Sequence, residues 1–419
     1  MFKWNDTHVM VQDMLKSFCA EHLVPNLDAL DTEQMLPYPI MRTMFDSFGM
    51  GEMSLAQFRS RLAKDKAALS GATAEESKGG GGGMLGLSRG DAEAMRAIPN
   101  IELSRYCPGL VSALGVSVGL TAEAINKRGT IEQRERWVPD LLTLKTIGAW
   151  AITEPSSGSD AFGSMRCSAK QDGDSFVLNG QKTFITNGPH ADTIVFICKL
   201  DNGEDLRNRP ILTFVLDGDT PGLVRGKAFR KMGMHSSPTG ELFLEDVRVG
   251  MDRLLGGSIE AATSGGRAGA KETFGSERIG VVAMALGMIE QCLGVSVEYA
   301  RTRRQFGRRI GDFQLIQLKL AKMEVARMNT ENILFRAFGE ANDGTKPSFA
   351  RASAAKLYCA QATMDVCLEA VQLHGGYGYM AEYHVEQLAR DAKVLQIYGG
   401  TDEIQTSQVA RSLLGPDSM

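Results

Sequence analysis

No CxxC pair occurs in this 419-residue chain. Its cysteines, at 19, 107, 167, 198, 292, 359 and 367, are odd in number and scattered. That excludes a disulfide framework and predicts buried thiols in a reducing compartment. The six histidines are too widely spaced to suggest metal ligation, so no metal is expected. A net charge of −4 supplies no positive field, which argues against nucleic acid or an anionic membrane surface as partner. The first turns carry Asp6, Asp13 and Glu21 and lack an apolar h-region, unlike a secretory signal or an acid-poor transit peptide. Gly-Pro-Asp-Ser-Met at the end is neither a peroxisomal tripeptide nor a prenylation box. A cytoplasmic location is the default expectation. The rest of the composition is ordinary for a globular protein, with 43% hydrophobic and 23% charged residues, and the chain is long enough for two or three packed domains.

Periodicity divides the chain into three regions. Residues 1–148 read as helical, beginning with Val11, Met14, Leu15 and Phe18 at helical spacing. The run Ala63 to Gly83, ending in five glycines from Gly79, interrupts them and reads as a flexible surface insertion. No strand precedes it and no Lys-Ser/Thr pair comes after it, so it is not a phosphate cradle. Residues 149–255 read as strands: Ser175–Leu178, a turn at Asn179-Gly180, Lys182–Thr186, then Thr193–Lys199, Ile211–Leu216 and Glu241–Val249. They predict a small β-sandwich or barrel and do not alternate with helices as a nicotinamide-binding sheet would. Residues 256–419 return to helices. Within Ile279–Val297, Gly280, Gly287 and Gly294 recur every seven residues, which predicts close packing by another helix. Glu290 and Gln291 in mid-segment and the lack of an aromatic belt argue against a membrane span.

The most specific stretch is Trp150-Ala151-Ile152-Thr153-Glu154-Pro155-Ser156-Ser157-Gly158-Ser159-Asp160, where helices give way to strands. Alone, a turn rich in Ser and Gly is usually just a turn. It is succeeded in order by Phe184-Ile185-Thr186-Asn187-Gly188, Arg303-Arg304-Gln305-Phe306-Gly307, Gln372-Leu373-His374-Gly375-Gly376-Tyr377-Gly378-Tyr379 and Ile397-Tyr398-Gly399-Gly400-Thr401-Asp402-Glu403-Ile404-Gln405. Together these resemble the acyl-CoA dehydrogenase family over roughly residues 100 to 411; the first hundred match loosely. The resemblance implies an α+β fold with an all-α N-terminal domain, a central β domain and a C-terminal four-helix bundle. It implies FAD held across a subunit interface, usually in a homotetramer (a dimer of dimers), with acyl-CoA as substrate and an electron-transferring flavoprotein as acceptor.

Carried over by position, Trp150, Ile152, Thr153 and Ser159 would line the isoalloxazine, and Phe184 and Thr186 would cover another part of the ring. Many relatives carry Trp at 184; Phe keeps the aromatic face but loses the indole donor. Arg303, Gln305, Phe306 and Gln314, with Gln372, Gly375, Gly376, Thr401 and Glu403, would contact the dinucleotide of a neighbouring subunit. The cluster Arg301, Arg303, Arg304, Arg308 and Arg309 can be a solvated basic face or a nucleic-acid patch. Pyrophosphate binding accounts better for the adjoining Gln-Phe-Gly, because guanidinium forks match phosphate oxygens.

The implied reaction is α,β-desaturation of a thioester: a carboxylate removes the α-proton and the β-hydrogen leaves as hydride to flavin N5. In most relatives the base is a glutamate directly before the final Gly-Thr. Here Gly399 stands in that position and cannot take a proton. A minority of the family, the long-chain and isovaleryl types, places the glutamate before an arginine on a C-terminal helix, where this chain has Ser276-Glu277-Arg278-Ile279. A first-turn acid favoured by the helix dipole would read the same way. The coincident loss at 399 and gain at 277 makes Glu277 the expected base. Gly399 keeps a backbone N–H for the thioester carbonyl, while Ser159, Arg278 and Gly400 are expected at the substrate. Oxidase, reductase or carbon–sulfur cleaving chemistry on the same flavin stays open, as does a non-catalytic acyl-CoA-binding subunit.

Overall fold

The computed structural model describes residues 2–70, 87–263, 266–345 and 347–415, with only the backbone described for 266–276. The N-terminal part is helical: α1 (Asp6–Phe18), α2 (Leu27–Asp31), α3 (Tyr38–Ser47), α4 (Met50–Leu69), α5 (Arg89–Ser104), α6 (Pro108–Leu114), α7 (Glu123–Arg128) and α8 (Ile131–Leu142). Side chains set the helix starts. At α1, Asn5 accepts from the His8 N–H while the His8 ring accepts from the Asn5 N–H; Thr130 and Gln133 repeat this reciprocal cap at α8. Gln133 also donates to the Asp252 and Leu254 carbonyls, which ties α8 to the end of the sheet.

The insertion predicted over 63–83 is corrected in part. Its charged beginning, Ala63–Leu69, continues α4, where Lys66 pairs with Glu135 on α8 at 2.7 Å. Ser70 follows as its C-cap, and the rest, 71–83 with the five glycines, lies outside the described residues.

Strands β1 (Gly148–Ala151), β2 (Ser168–Asp172), β3 (Ser175–Thr186), β4 (Thr193–Leu200), β5 (Ile211–Asp217), β6 (Leu223–Arg225) and β7 (Thr239–Gly250) form one seven-stranded sheet. The order is β1-β4-β2-β3-β7-β6, with β5 added on β4. Side-chain alternation gives β4 two buried faces. Ile194, Phe196 and Cys198 pack with Phe176, Phe214 and Leu242, whereas Val195 and Ile197 pack with Phe58, Trp137 and Leu141 from α4 and α8.

The turn predicted at Asn179-Gly180 is not formed. β3 runs straight through it, and the pair marks a register shift against β7. Asn179 donates to the Asp246 carboxylate and accepts from the Asp246 N–H, tying the irregularity side chain to backbone. Gly180, at φ +140°, lies so close to Cys167 that a Cβ would come within 2.4 Å of its sulfur. Glycine is needed here for a bulge and a close approach.

The C-terminal part holds α9 (Ile259–Thr263), α10 (Gly266–Thr302), the hairpin β8 (Arg304–Gln305) and β9 (Arg308–Arg309), α11 (Gln314–Asn342), α12 (Phe349–His374), α13 (Val385–Ala392) and α14 (Asp402–Leu414). Helix α10 is central, packed against α11, α12 and the N-terminal α5, so one apolar core joins the two helical parts. Of the three spaced glycines, Gly287 alone meets the expectation: a Cβ there would lie 2.0 Å from the Ile101 carbonyl of α5. Gly280 and Gly294 have open space beside them. Pro108–Arg128 and Glu277–Thr302 are long and apolar enough to cross a membrane, but 56% and 61% of their apolar windows are packed inside the fold. All seven cysteines are buried, as expected.

Candidate active site

The Trp150–Asp160 stretch leaves the edge of the sheet as β1 ends, with Trp150 half-buried and opposite Val195 in the parallel β1/β4 pair. A buried ion pair fixes the loop beyond the strand. Lys182, fully enclosed on β3, donates 2.9 Å to both the Ile152 carbonyl and the Glu154 carboxylate. Glu154 also accepts from the Arg166 and Cys167 N–H groups at 2.6 and 2.9 Å. Burial works against its charge, but Lys182 and these donors hold its carboxyl below the usual range. The Thr183 N–H donates to the Thr153 carbonyl at 2.9 Å, so β3 clasps the loop on both sides of Glu154. Ile152 is buried, Thr153 half-buried, and Ser159 exposed at the loop's outer turn. Neither Glu154 nor Lys182 was singled out from sequence, because a charged residue in a strand reads as a solvent-facing one.

Phe184, next along β3, has φ +56° and a side chain 68% exposed, a conformation uncommon for a bulky residue. Its ring is 5.8 Å from that of Phe229. Thr186 ends the strand, half-buried. Asn187 then turns inward at φ +63°, donating to the Ala113 and Gly148 carbonyls and accepting from the Tyr38 hydroxyl. It therefore links α6, β1 and α3, a role its place in the motif did not reveal.

The other cofactor candidates lie on separate elements. Arg303 directly follows α10 and sits 5.5 Å from the Tyr377 ring. Phe306 and Gly307, both at positive φ, make the turn of the β8–β9 hairpin, which presents Gln305 and a Phe306 side chain 92% exposed. Gln314 is exposed at the start of α11, and Gln372, Gly375 and Gly376 are exposed at the end of α12. Thr401 caps α14 through its hydroxyl, and Glu403 is exposed in the first turn.

The expected base and its vacant counterpart converge. A Cβ built on Gly399 would lie 3.5 Å from the Glu277 carboxyl carbon, although 122 positions separate the two in sequence. Glu277 stands where α10 passes under this segment, and its Oε2 is enclosed without a hydrogen-bond partner. Burial pushes its carboxyl up to about 7, with Arg278 and Lys356 pulling the other way. Arg278 itself is buried. It donates to the Ser353 hydroxyl at 2.8 Å, lies 3.9 Å from the Phe349 ring, and its terminal nitrogen approaches Gly400. Burial lowers its guanidinium to about 10. Tyr398 covers the pair and reaches the Met284 sulfur at 3.6 Å; burial raises its phenol above the usual range, eased by the Ser112 hydroxyl. Among the described residues no three His, Cys, Asp or Glu side chains gather as metal ligands.

Comparison with known proteins bears on the family. The chain matches the acyl-CoA dehydrogenase N-terminal domain over residues 60–145, the middle domain over 149–247 and the C-terminal domain over 264–414. The chain belongs to the acyl-CoA dehydrogenase family. It is 38% identical to a short-chain specific acyl-CoA dehydrogenase of Megasphaera elsdenii over 75% of this chain and 80% of that protein. It is also 31% identical to a 3-(aryl)acrylate reductase of Clostridium sporogenes over 98% and 99% of the two chains. Its fold superposes on butyryl-CoA dehydrogenase from Megasphaera elsdenii with a TM-score of 0.83, at 32% identity over 99% and 100% of the chains.

Members of this family are FAD-dependent oxidoreductases, and this chain's residues suit the cofactor. Phe184 offers an exposed aromatic face beside the clasped loop, as a flavin ring needs. At Gly158, Gly375 and Gly376 no atom lies within 4 Å of where a Cβ would stand, leaving the backbone open to close approach.

Proposed function

We propose that this enzyme removes hydrogen from Cα and Cβ of an acyl-CoA thioester, with Glu277 as the base. One observation carries the reading: a carboxylate of raised proton affinity, one oxygen enclosed and without a hydrogen-bond partner, packed against the backbone of Gly399. A base poised near neutrality is matched to abstraction of a weakly acidic C–H. Glu277 takes the α-proton onto a carboxylate oxygen, and the electrons of that C–H bond move toward the thioester carbonyl. The N–H of Gly399 donates to the carbonyl oxygen as charge collects there. Arg278 and Gly400 border the same space, and Ser159 would meet the substrate by its place in the family's motif. The β-hydrogen leaves with its bonding pair as the Cα–Cβ double bond forms. FAD, when bound, supplies the acceptor for that pair.

Trp150, Ile152, Thr153, Ser159, Phe184 and Thr186 would hold the ring end of FAD. Arg303, Gln305, Phe306, Gln314, Gln372, Gly375, Gly376, Thr401 and Glu403 would serve the dinucleotide of a neighbouring copy. That division, together with exposed Leu315, Leu318, Val325 and Met328 at helical spacing on α11, supports a homotetramer or dimer of dimers. An electron-transferring flavoprotein is the proposed acceptor. The base position is that of the long-chain and isovaleryl types, whereas the Megasphaera relative is short-chain specific.

Anaerobic titration of the purified protein with acyl-CoAs of several lengths tests the reading: a saturated thioester bleaches the flavin. The Clostridium relative gives a second reading some footing, reduction of an activated double bond. It predicts that reduced enzyme is reoxidised by an enoyl thioester or arylacrylate and stays oxidised with saturated thioesters. Rapid reoxidation of substrate-reduced enzyme by air would indicate an oxidase.

A further inference from the structure

Lys356, on the inner face of α12, has no solvent exposure. A buried ammonium persists only where its charge and its protons are matched. Its Nζ donates to the Gly400 carbonyl at 2.8 Å and lies 3.6 Å from the Asp402 carboxylate. Gln405, also fully buried, donates from its side-chain nitrogen to both the Gly399 and Gly400 carbonyls at 2.9 Å. Both carbonyls of the glycine pair are thus drawn down toward α12 and α14. Among the described residues, the N–H of Gly399 meets no backbone acceptor. The two glycines have φ +61° and +97°, a region that leaves a backbone free to wander unless it is held. Because each peptide is planar, holding the Gly399 carbonyl fixes the direction of the Gly400 N–H and holding the Gly400 carbonyl fixes that of Thr401, so the backbone is pinned on both sides of Gly400 and on the carbonyl side of Gly399.

The same ammonium bears on the base. Glu277 is faced by Arg278 from its own helix, by Lys356 from α12 and by Tyr398 from the covering segment. Asp402, on α14, stands behind Lys356 and balances it.

We propose that Lys356 is a positioning residue for the dehydrogenation, holding the Gly399–Gly400 segment in place against α12 beside the thioester site and keeping a positive charge beside Glu277. The inference rests on the reading of Glu277 as base. Its two parts act on one intermediate state: the clamp anchors the segment that carries the Gly399 N–H donor, and the ammonium keeps Glu277 ionised to receive the proton. A buried methionine of similar length would fill the space and supply neither.

The test uses the FAD-bound enzyme as wild type, Lys356→Met, Lys356→Arg and Asp402→Asn. Each is mixed anaerobically with butyryl-, octanoyl- and palmitoyl-CoA across a pH series through neutrality. Each is also mixed with a 3-thia-acyl-CoA, whose acidic α-proton can leave without hydride transfer and whose enolate gives a long-wavelength band against oxidised flavin. Lys356→Met should slow flavin reduction by roughly ten- to a hundredfold, the effect of losing one preorganised donor. It should weaken the enolate band and move the pH midpoint upward, because Glu277 loses a neighbouring cation. Lys356→Arg should keep the wild-type midpoint while the band stays weak, since a guanidinium fork cannot reproduce a single-point contact. Asp402→Asn should move the midpoint downward, because the charge of Lys356 is then unbalanced. Opposite shifts are not produced by a residue that merely supports the fold. Wild-type rate, band and midpoint in Lys356→Met would overturn the inference and leave the base assignment standing. A wild-type flavin that no thioester reduces would overturn both. If Lys356→Met is isolated without flavin, Asp402→Asn decides: a lowered midpoint supports the inference and an unmoved one overturns it.

Discussion

Glu277→Gln removes the charge of the base while preserving its shape, and it should make the protein more stable at alkaline pH. Burial raises the Glu277 carboxyl from 4.5 to about 7. Each unit of such a shift corresponds to about 1.4 kcal/mol, so holding the ionised form in the fold costs about 3 kcal/mol. The sign comes from proton counting. Between the two values the folded chain keeps a proton that the unfolded chain has released, so stability falls as pH rises from 4.5 toward 7. Above that window the full cost is present; below it there is none. Glutamine titrates nowhere in this range, so its curve lacks the decline. Urea midpoints of the two FAD-bound proteins, at matched protein and FAD concentrations, should diverge in favour of Glu277→Gln through neutrality and then run parallel. A difference that is constant with pH, or that widens toward acid, would refute the burial of an unpartnered carboxylate.

The same geometry sets three further outcomes. Moving the base, with Glu277→Ala and Gly399→Glu together, should restore part of the flavin reduction lost in Glu277→Ala. The restoration is partial because a side chain at φ +61° costs about 1–2 kcal/mol of strain; stopped-flow absorbance compares the rates. Lys182→Met strands Glu154 in the interior and should destabilise the protein by about 3–5 kcal/mol, seen in thermal unfolding, with Glu154→Gln added to it recovering most of the loss. Phe184→Ala removes a side chain 68% exposed in the chain alone, so apoprotein stability should change by less than about 0.5 kcal/mol. FAD affinity, measured by the fluorescence of released flavin, should fall by about tenfold for loss of the aromatic face.

Much of this architecture was legible where the local rules had no competitor. Strands β4, β5 and β7 carry dense β-branched and aromatic residues and formed where their periodicity placed them, extended by one to three residues. Asn179-Gly180 was misread because a sequence strong enough to reverse a free chain also suits a bulge; the pairing of β3 with β7 decided between them. Strands β1, β2 and β6 were missed because they are short and owe their form to neighbours: β1 exists by pairing with β4, 45 positions away. The charged start of the insertion folded as helix because α8 offers partners for it.

The site was legible unevenly. The Glu277 and Gly399 exchange was visible as a loss and a gain, but their contact joins α10 to the segment before α14, which no periodicity encodes. Lys356 and Glu154 escaped notice for a common reason. A buried charge looks like any surface charge in sequence, and only its tertiary partners, the Gly400 carbonyl and Lys182, make burial tolerable.

Whether Glu277 carries the α-proton is decided most directly by the anaerobic rate of flavin reduction in Glu277→Gln, using an acyl-CoA that bleaches the wild-type enzyme. With Glu277 as base, the variant is a yellow, folded, FAD-bound protein whose flavin stays oxidised, while the wild-type rate rises with pH through about 7 as the carboxylate ionises. Reduction of Glu277→Gln near the wild-type rate would place the base elsewhere.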